Sequence, residues 1–465
     1  MNYPDNWAVA ELQELGEWKT GSTPRRSNDE YWDGDILWVS PKDMKTDRIE
    51  DTQDRMTEKA LEETNSKVIP PGSIVVVTRS GILEHSFPVA VTEKPVTINQ
   101  DLKTFIPGDR LDGRYAYYCL RANELDILKT CTKDGTTVAS INSDSLYAYE
   151  IPIPPLTHQE RIVAKIEELF SKLDSGVSEL EDTKNQLDRY RKSTLKAALF
   201  GELTRSWRNQ QLAERHALDN QMNEYVEEVD YESDAELDGL PDQWRQAPLG
   251  SVSNVIPGNS PPSDTYNESG EGLPLINGPS EFGPNAFSKT KQTKFTTDPK
   301  KECDKDDLIV CVRGNTTGRM NIASTHSAIG RGVAAVRAHI CQKFVNYYIH
   351  LKESHLLDIG TGTTYPSISS KDLRRLAIPL PTIEEQREIV EILDRRFSIL
   401  DGVEPEVDEN IQRSERLRQS ILKYAFEGNL VPQDPKEEPP TPDGGDTNLE
   451  PGEQATLSEV TNDVE

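Results

Sequence analysis

At Ile151 the chain reads IPIPPLTHQERIV, and 227 residues later, at Ile378, it reads IPLPTIEEQREIV. The match is not local. Residues 135–204 align without a gap to 362–431 at that constant shift, with about 26 identities in 70 positions, far more than chance supplies at one fixed register. Gly135, Thr136, Thr137, Ser140 and Ile141 fall on Gly362, Thr363, Thr364, Ser367 and Ile368, and RYRKSTLKAALFGEL from Arg189 falls on RLRQSILKYAFEGNL from Arg416. Upstream the shift drifts, as loops of different length require. Pro4, Asp5 and Trp7 meet Pro241, Asp242 and Trp244, Gly21 and Pro24 meet Gly258 and Pro261, and SIVVVTR ending at Arg79 meets DLIVCVR ending at Arg313. The chain is two copies of one unit of about 200 residues.

Each copy changes texture part-way. Its first part holds short apolar runs, such as Ile74–Val77, Val89–Val91 and Leu308–Val312, bounded by Gly, Pro, Asn and Asp, which predicts strands and turns. Its second part has helical period. Ile166, Leu173, Leu180 and Leu187 recur every seven residues with Ile162 and Leu169 between them, and Leu393, Leu400 and Val407 repeat the pattern. A helix from about His158 to Phe200 would be some 65 Å long at 1.5 Å per residue. Pro155 and Pro381 precede the two helices and Gly201 and Gly428 stop them, while Gly176 and Pro405 predict kinks inside them. One amphipathic helix of that length cannot bury its stripe alone. Its own copy, antiparallel, is the expected partner; packing of each helix on its own domain is the alternative.

The fold class is therefore α+β: two similar strand-rich domains and two long helices forming an antiparallel coiled coil. The expected boundaries are a first domain at 1–150, a first helix segment at 151–213, a linker at 214–243, a second domain at 244–378, a second helix segment at 379–431 and a tail at 432–465.

Charge supports this division. The 465 residues hold 52 Lys and Arg against 80 Asp and Glu, a net charge of −28, and a polyanionic partner such as DNA ordinarily demands the opposite balance. The excess is localised. Residues 214–243 carry 11 acids and one base, and 432–465 carry 10 acids and one base, so those two segments hold 19 of the 28 excess charges. Their composition cannot repay the entropy of ordering, hence linker and tail. Residues 244–378 sum to +4, whereas 1–150 sum to −9. Acidity on folded surfaces also suits solubility in concentrated salt. With 35% apolar residues but 31 aromatic ones, most of the chain is expected to fold.

Catalytic motifs do not emerge. There is no GxxxxGK[ST] loop, no GxSxG elbow, no HExxH, and no acidic-Pro-Pro-aromatic loop for amino-group methylation. GTGTT at Gly360 reads as a turn. Cys119, Cys131, Cys303, Cys311 and Cys341 are scattered and odd in number, which predicts reduced thiols in a cytoplasmic protein without a metal. No apolar run long enough to span a membrane and no signal-like start are present. No cofactor is expected.

With PDxW opening each copy, GTT before each proline strand, and a long helix running from the IPxP stretch to KAALFGEL or KYAFEGNL, the chain resembles the specificity subunit of Type I restriction-modification systems. The resemblance covers residues 3–431. It implies a non-catalytic scaffold whose two target-recognition domains each read one half of a split double-stranded DNA site. It implies helices that space those domains and hold two methyltransferase (modification) subunits, with motor-nuclease (restriction) subunits joining for cleavage. Half-site centres would then lie about one turn, roughly 10 bp, apart.

Base reading needs donors and acceptors on loops, Arg for guanine and Asn or Gln for adenine. The matched polar positions are Arg79 and Arg313, Asn99 and Gln100 beside Gly330 and Arg331, and Lys42 near Asn277. Lys289, Lys291 and Lys294 alternate along SKTKQTK, a pattern for phosphates. For partner subunits the candidates are Gln159, Ile162 and Val163 with their repeats Gln386, Ile389 and Val390, residues that also suit a helix-pair core. A scaffold joining two protein-binding domains without touching DNA, or a fragment of a fused methyltransferase, are the competing readings.

Overall fold

A computed structural model describes residues 4, 6–133, 138–214, 237, 239–360 and 367–433. Most of the acidic linker, the tail beyond 433 and the repeated GTT triplets at 135–137 and 362–364 lie outside the described residues. The chain divides into two compact units, one of Met1–Glu181 with Asp408–Glu465, the other of Asp182–Val407. Neither is one sequence copy.

In the first unit Ile74–Val77, four apolar residues buried on both faces, forms the middle of a five-stranded sheet. Leu102–Pro107 and Val89–Thr92 flank it antiparallel, Gly16–Thr20 and Arg48–Ile49 lie at the edges, and the last of these runs parallel to its neighbour. A smaller sheet sets Trp32–Val39 between Asp54–Met56 and a parallel strand, Val96–Ile98.

The second unit repeats the plan. Leu308–Cys311 lies between Val333–Ala338 and Met320–Ile322, with Ser253–Pro257 outermost, and Leu273–Ile276 runs parallel to Ser327–Ile329. In each unit a two-stranded antiparallel ladder zips the start of a domain to the strand entering the long helix: Ala8–Glu11 with Glu150–Ile153, and Arg245–Pro248 with Ala377–Leu380.

The long helices run over Leu156–Leu199 and Ile383–Phe426, 44 residues each. Both are continuous through Gly176 and Pro405, the positions where kinks are expected. Gly176 merely lowers propensity, and Pro405 forfeits one bond, to the Asp401 carbonyl, in a helix whose neighbouring turns hold it. Both end alike. Gly201 and Gly428 take φ of +78° and +79°, the left-handed turn that glycine enters without cost. Glu202 N–H then donates to the Ala197 carbonyl and Gly201 N–H to that of Ala198, as Asn429 does to Tyr424 and Gly428 to Ala425, the paired bonds of a Schellman cap.

Each helix starts in one unit and ends in the other, so each unit contains an antiparallel pair made of the beginning of one helix and the end of the other. In the first, Arg418 lies over the Phe170 ring and pairs with Asp174, and Leu417, Ile421 and Phe426 join a core that includes Ile162, Ile166 and Leu169. In the second, Arg191 pairs with Asp401 and Glu404, 2.8 Å each, and lies over Phe397. The stripes thus bury against their own domain and the opposite helix together; both expected packings hold. The helix end also seals the domain. A methyl on Gly428 would meet Pro4, and one on Gly201 would meet Pro241, the repeat equivalent of Pro4.

Candidate nucleic-acid interface

In the first unit, three segments meet beyond the end of the central strand. The backbone N–H groups of Thr78 and Arg79 both donate to the Asp101 carbonyl, at 2.8 and 3.2 Å. Asn99 N–H donates to the Val39 carbonyl, and its side-chain Oδ1 accepts from Asp101 N–H at 2.9 Å. Asn99 is therefore buried and committed to its turn, while Gln100 and Arg79 project from the same place exposed. Lys42 lies on the adjoining turn, which Asp43 closes by accepting from the N–H and hydroxyl of Ser40, and it too is exposed. The loop from Gly21 completes the corner: a Cβ there would lie 2.0 Å from the Asn99 carbonyl oxygen, so only glycine permits the approach.

The second unit builds the same corner from other residues. Gly330 N–H donates to the Ile276 carbonyl at 2.8 Å and Val312 N–H donates to the Gly332 carbonyl at 2.9 Å. Buried Glu281 closes the turn after the strand by accepting from the N–H groups of Asn277 and Gly278. A Cβ on Gly258 would lie 2.1 Å from the Gly330 carbonyl oxygen, matching Gly21 and Asn99. Asn277, Arg313 and Arg331 are gathered here, the two arginines exposed. Arg79 forms an isolated antiparallel bridge with Ser140, and Arg313 forms one with Ser367. The repeat register makes those serines equivalent, so the two arginines are structurally equivalent as well. Among the described residues, none accepts a hydrogen bond from the guanidinium of Arg79, Arg313 or Arg331.

Lys289, Lys291 and Lys294 lie along a separate stretch. Lys289 bridges to Ile322 in parallel and pairs with Asp306, whose carboxyl it holds below the usual range; Lys291 N–H donates to the Glu281 carbonyl; the Lys294 carbonyl accepts from Leu275 N–H. Lys291 is the most available of the three, since Lys294 is half-buried.

A family model described as the Type I restriction modification DNA specificity domain matches residues 4–186 and again 241–409. The chain belongs to this DNA-specificity family.

Among specificity subunits of known type, that of the Escherichia coli type I restriction enzyme EcoR124I/EcoR124II is 37% identical over 185 residues, 39% of this chain and 46% of that relative. This first match thus spans less than half of the relative's length. The putative MjaX specificity subunit of Methanocaldococcus jannaschii is 26% identical over 438 residues, 92% of this chain and 94% of its own. A solved structure from work on complex assembly and conformational transition of the type I R-M system superposes with a TM-score of 0.69 at 25% identity, covering 92% of this chain and all of that one. The HsdS subunit of Thermoanaerobacter tengcongensis shares the fold, with a TM-score of 0.54 at 24% identity over 92% of this chain and 99% of its own.

In this specificity-family chain the repeated helix-start residues face inward. Gln159 and Gln386 are fully buried: Gln159 accepts from Asp112 N–H and donates to the Arg110 and Pro154 carbonyls, and Gln386 accepts from Cys341 N–H and donates to the Pro381 carbonyl. Ile162, Val163, Ile389 and Val390 pack in the cores of their own units. Their repetition follows from docking helix to domain twice, because a buried amide must find backbone partners. Burial pushes the Cys303 and Cys311 thiols up to about 12 and raises those of Cys119 and Cys131, which disfavours a thiolate nucleophile at these four. Among the described residues, no group of three His, Cys, Asp or Glu side chains is arranged to hold a metal, and no helix is long and apolar enough to cross a membrane.

Proposed function

We propose that this chain is the DNA-reading subunit of a cytoplasmic type I restriction-modification complex and performs no chemical step itself. The domain within 1–150 contacts one half of a bipartite double-stranded DNA site and the domain within 244–378 the other. The paired helices space them and carry two methyltransferase (modification) subunits, to which motor-nuclease (restriction) subunits are added for cleavage. Lys42, Arg79 and Gln100 serve one half-site, Asn277, Arg313 and Arg331 the other, with Lys291 on a phosphate.

One observation carries the reading. Arg79 and Arg313 stand at equivalent points, beside Ser140 and Ser367, but with Asn99 and Gln100 next to one and Gly330 and Arg331 next to the other. A common scaffold with exchanged side chains is what two readers of unlike half-sites require. Methylome sequencing of the host with and without this gene is the test. Loss of methylation at a two-part motif is expected on deletion, and an unchanged methylome would end the proposal.

A further inference from the structure

We propose that Arg25 is a DNA contact of the first domain, presented by a loop that Arg26 locks. The inference rests on the DNA-reading function above and adds a residue outside the matched positions.

The loop leaves the corner at Gly21 and is pinned at each step. Ser22 N–H donates to the Ile98 carbonyl at 2.9 Å, the Trp38 indole donates to the Ser22 carbonyl at 3.2 Å, and the Ser22 and Ser66 hydroxyls are 2.7 Å apart. The Arg25 carbonyl accepts from Asn28 N–H at 3.0 Å and from the Trp32 indole at 3.4 Å. Arg26 then lies over two rings, its guanidinium carbon 4.2 Å from the Trp32 centroid and 4.7 Å from that of Trp38, and pairs with Asp54 at 2.7 Å.

A bulge makes this clamp possible. Trp32 and Ile36 both register with Met56, so the intervening residues loop out, with Asp33 at a φ of 62°. The excursion brings Trp32 back edge-on to Trp38, at 5.1 Å and 84°. Stacking and ion pairing with Asp54 absorb the charge of Arg26. Arg25 is left exposed on a rigid support, and among the described residues nothing accepts from its guanidinium.

The second domain lacks this device: at the same shift, Pro262 and Ser263 replace Arg25 and Arg26. Its extra guanidinium, Arg331, comes instead from the turn where the first domain has Gln100. Each domain thus offers one further arginine from a different segment, a physical source of different half-sites. A guanidinium recognises a pair of acceptors in one plane, either guanine O6 and N7 or two phosphate oxygens.

The test uses the assembled complex carrying R25A. Binding to the cognate site should weaken roughly tenfold. If Arg25 reads a base, the methylated motif relaxes at one position of one half-site. If it holds a phosphate, the motif is retained, cognate and unrelated DNA lose affinity alike, and the salt slope falls by about one. Either outcome supports the contact. Unchanged affinity and motif in R25A, with the wild-type complex methylating its bipartite site, would overturn the assignment. A wild-type complex that recognises no bipartite site removes the functional reading itself.

Discussion

The indole N–H of Trp244 donates a 2.9 Å hydrogen bond to the carboxylate of Glu385, which lies at the start of the second long helix. The same buried carboxylate accepts from Arg208 at 2.8 Å and from the Thr204 hydroxyl at 2.8 Å. Arg208 also donates to the Gly201 carbonyl, so one ion pair ties the end of the first helix to the start of the second. In the other unit Trp7, the equivalent of Trp244, gives its N–H to Gln433 and stands edge-on to His158, the repeat equivalent of Glu385. The tryptophan is retained and its acceptor replaced.

Removing Glu385 strands a buried guanidinium. Glu385→Ala should cost the chain about 3–5 kcal/mol, whereas Gln433→Ala, which deletes two neutral bonds, one from the Trp7 indole and one to the Gly428 carbonyl, should cost about 1–2 kcal/mol. Urea denaturation measures both, and equal costs would show that the ion pair is not what secures the second unit.

Arg79→Ala and Arg313→Ala should each impair one half-site. A loss of roughly 1–3 kcal/mol is expected for the half-site concerned, read by competition with DNAs altered in one half at a time. Impairment of both halves by a single substitution would contradict the division of labour.

Excising one heptad from each helix, between Asp174 and Arg191 and between Asp401 and Arg418, preserves the pairs at both ends. Seven residues are roughly 10 Å of helix, about three base-pair steps of 3.4 Å. The methylated motif of the doubly shortened chain should therefore lose about three spacer base pairs with its halves intact. Shortening only one helix should instead destabilise the chain, because the pairs slip out of register.

His326 sits between Asp304 at 2.9 Å and Glu302 at 2.8 Å, which together raise its pKa from the ordinary 6.5. A raised folded value means that the pairing stabilises fully below the unfolded pKa and fades as pH rises through the folded one. The site is about half exposed, so the increment is small. An NMR titration should place the His326 midpoint above 6.5 and Asp304→Asn should lower it; a midpoint at or below 6.5 would deny the pairing.

The corner was partly legible. Arg79 and Arg313 could be matched because the strands before them are apolar runs in one register. Asn99 was legible as a matched polar position suited to base reading, but not as one that spends its side chain on Asp101 N–H. Arg25 is not legible because Trp32 and Trp38, the rings that clamp its neighbour Arg26, are brought together by a bulge that no periodicity signals. Repetition suggests partner contacts at Gln159 and Gln386, yet it marks any contact made twice, and both side chains are buried in their own units.

Duplication, strand texture, helix limits and charge segregation were determined by the sequence alone, since each depends on neighbours within a few turns or on one constant shift. Only the tertiary structure decided that each domain is closed by the far end of the other copy's helix, with Pro4 against Gly428 and Pro241 against Gly201. An apolar stripe states that it must be buried but not against what, and here the antiparallel course of two 44-residue helices supplies the answer.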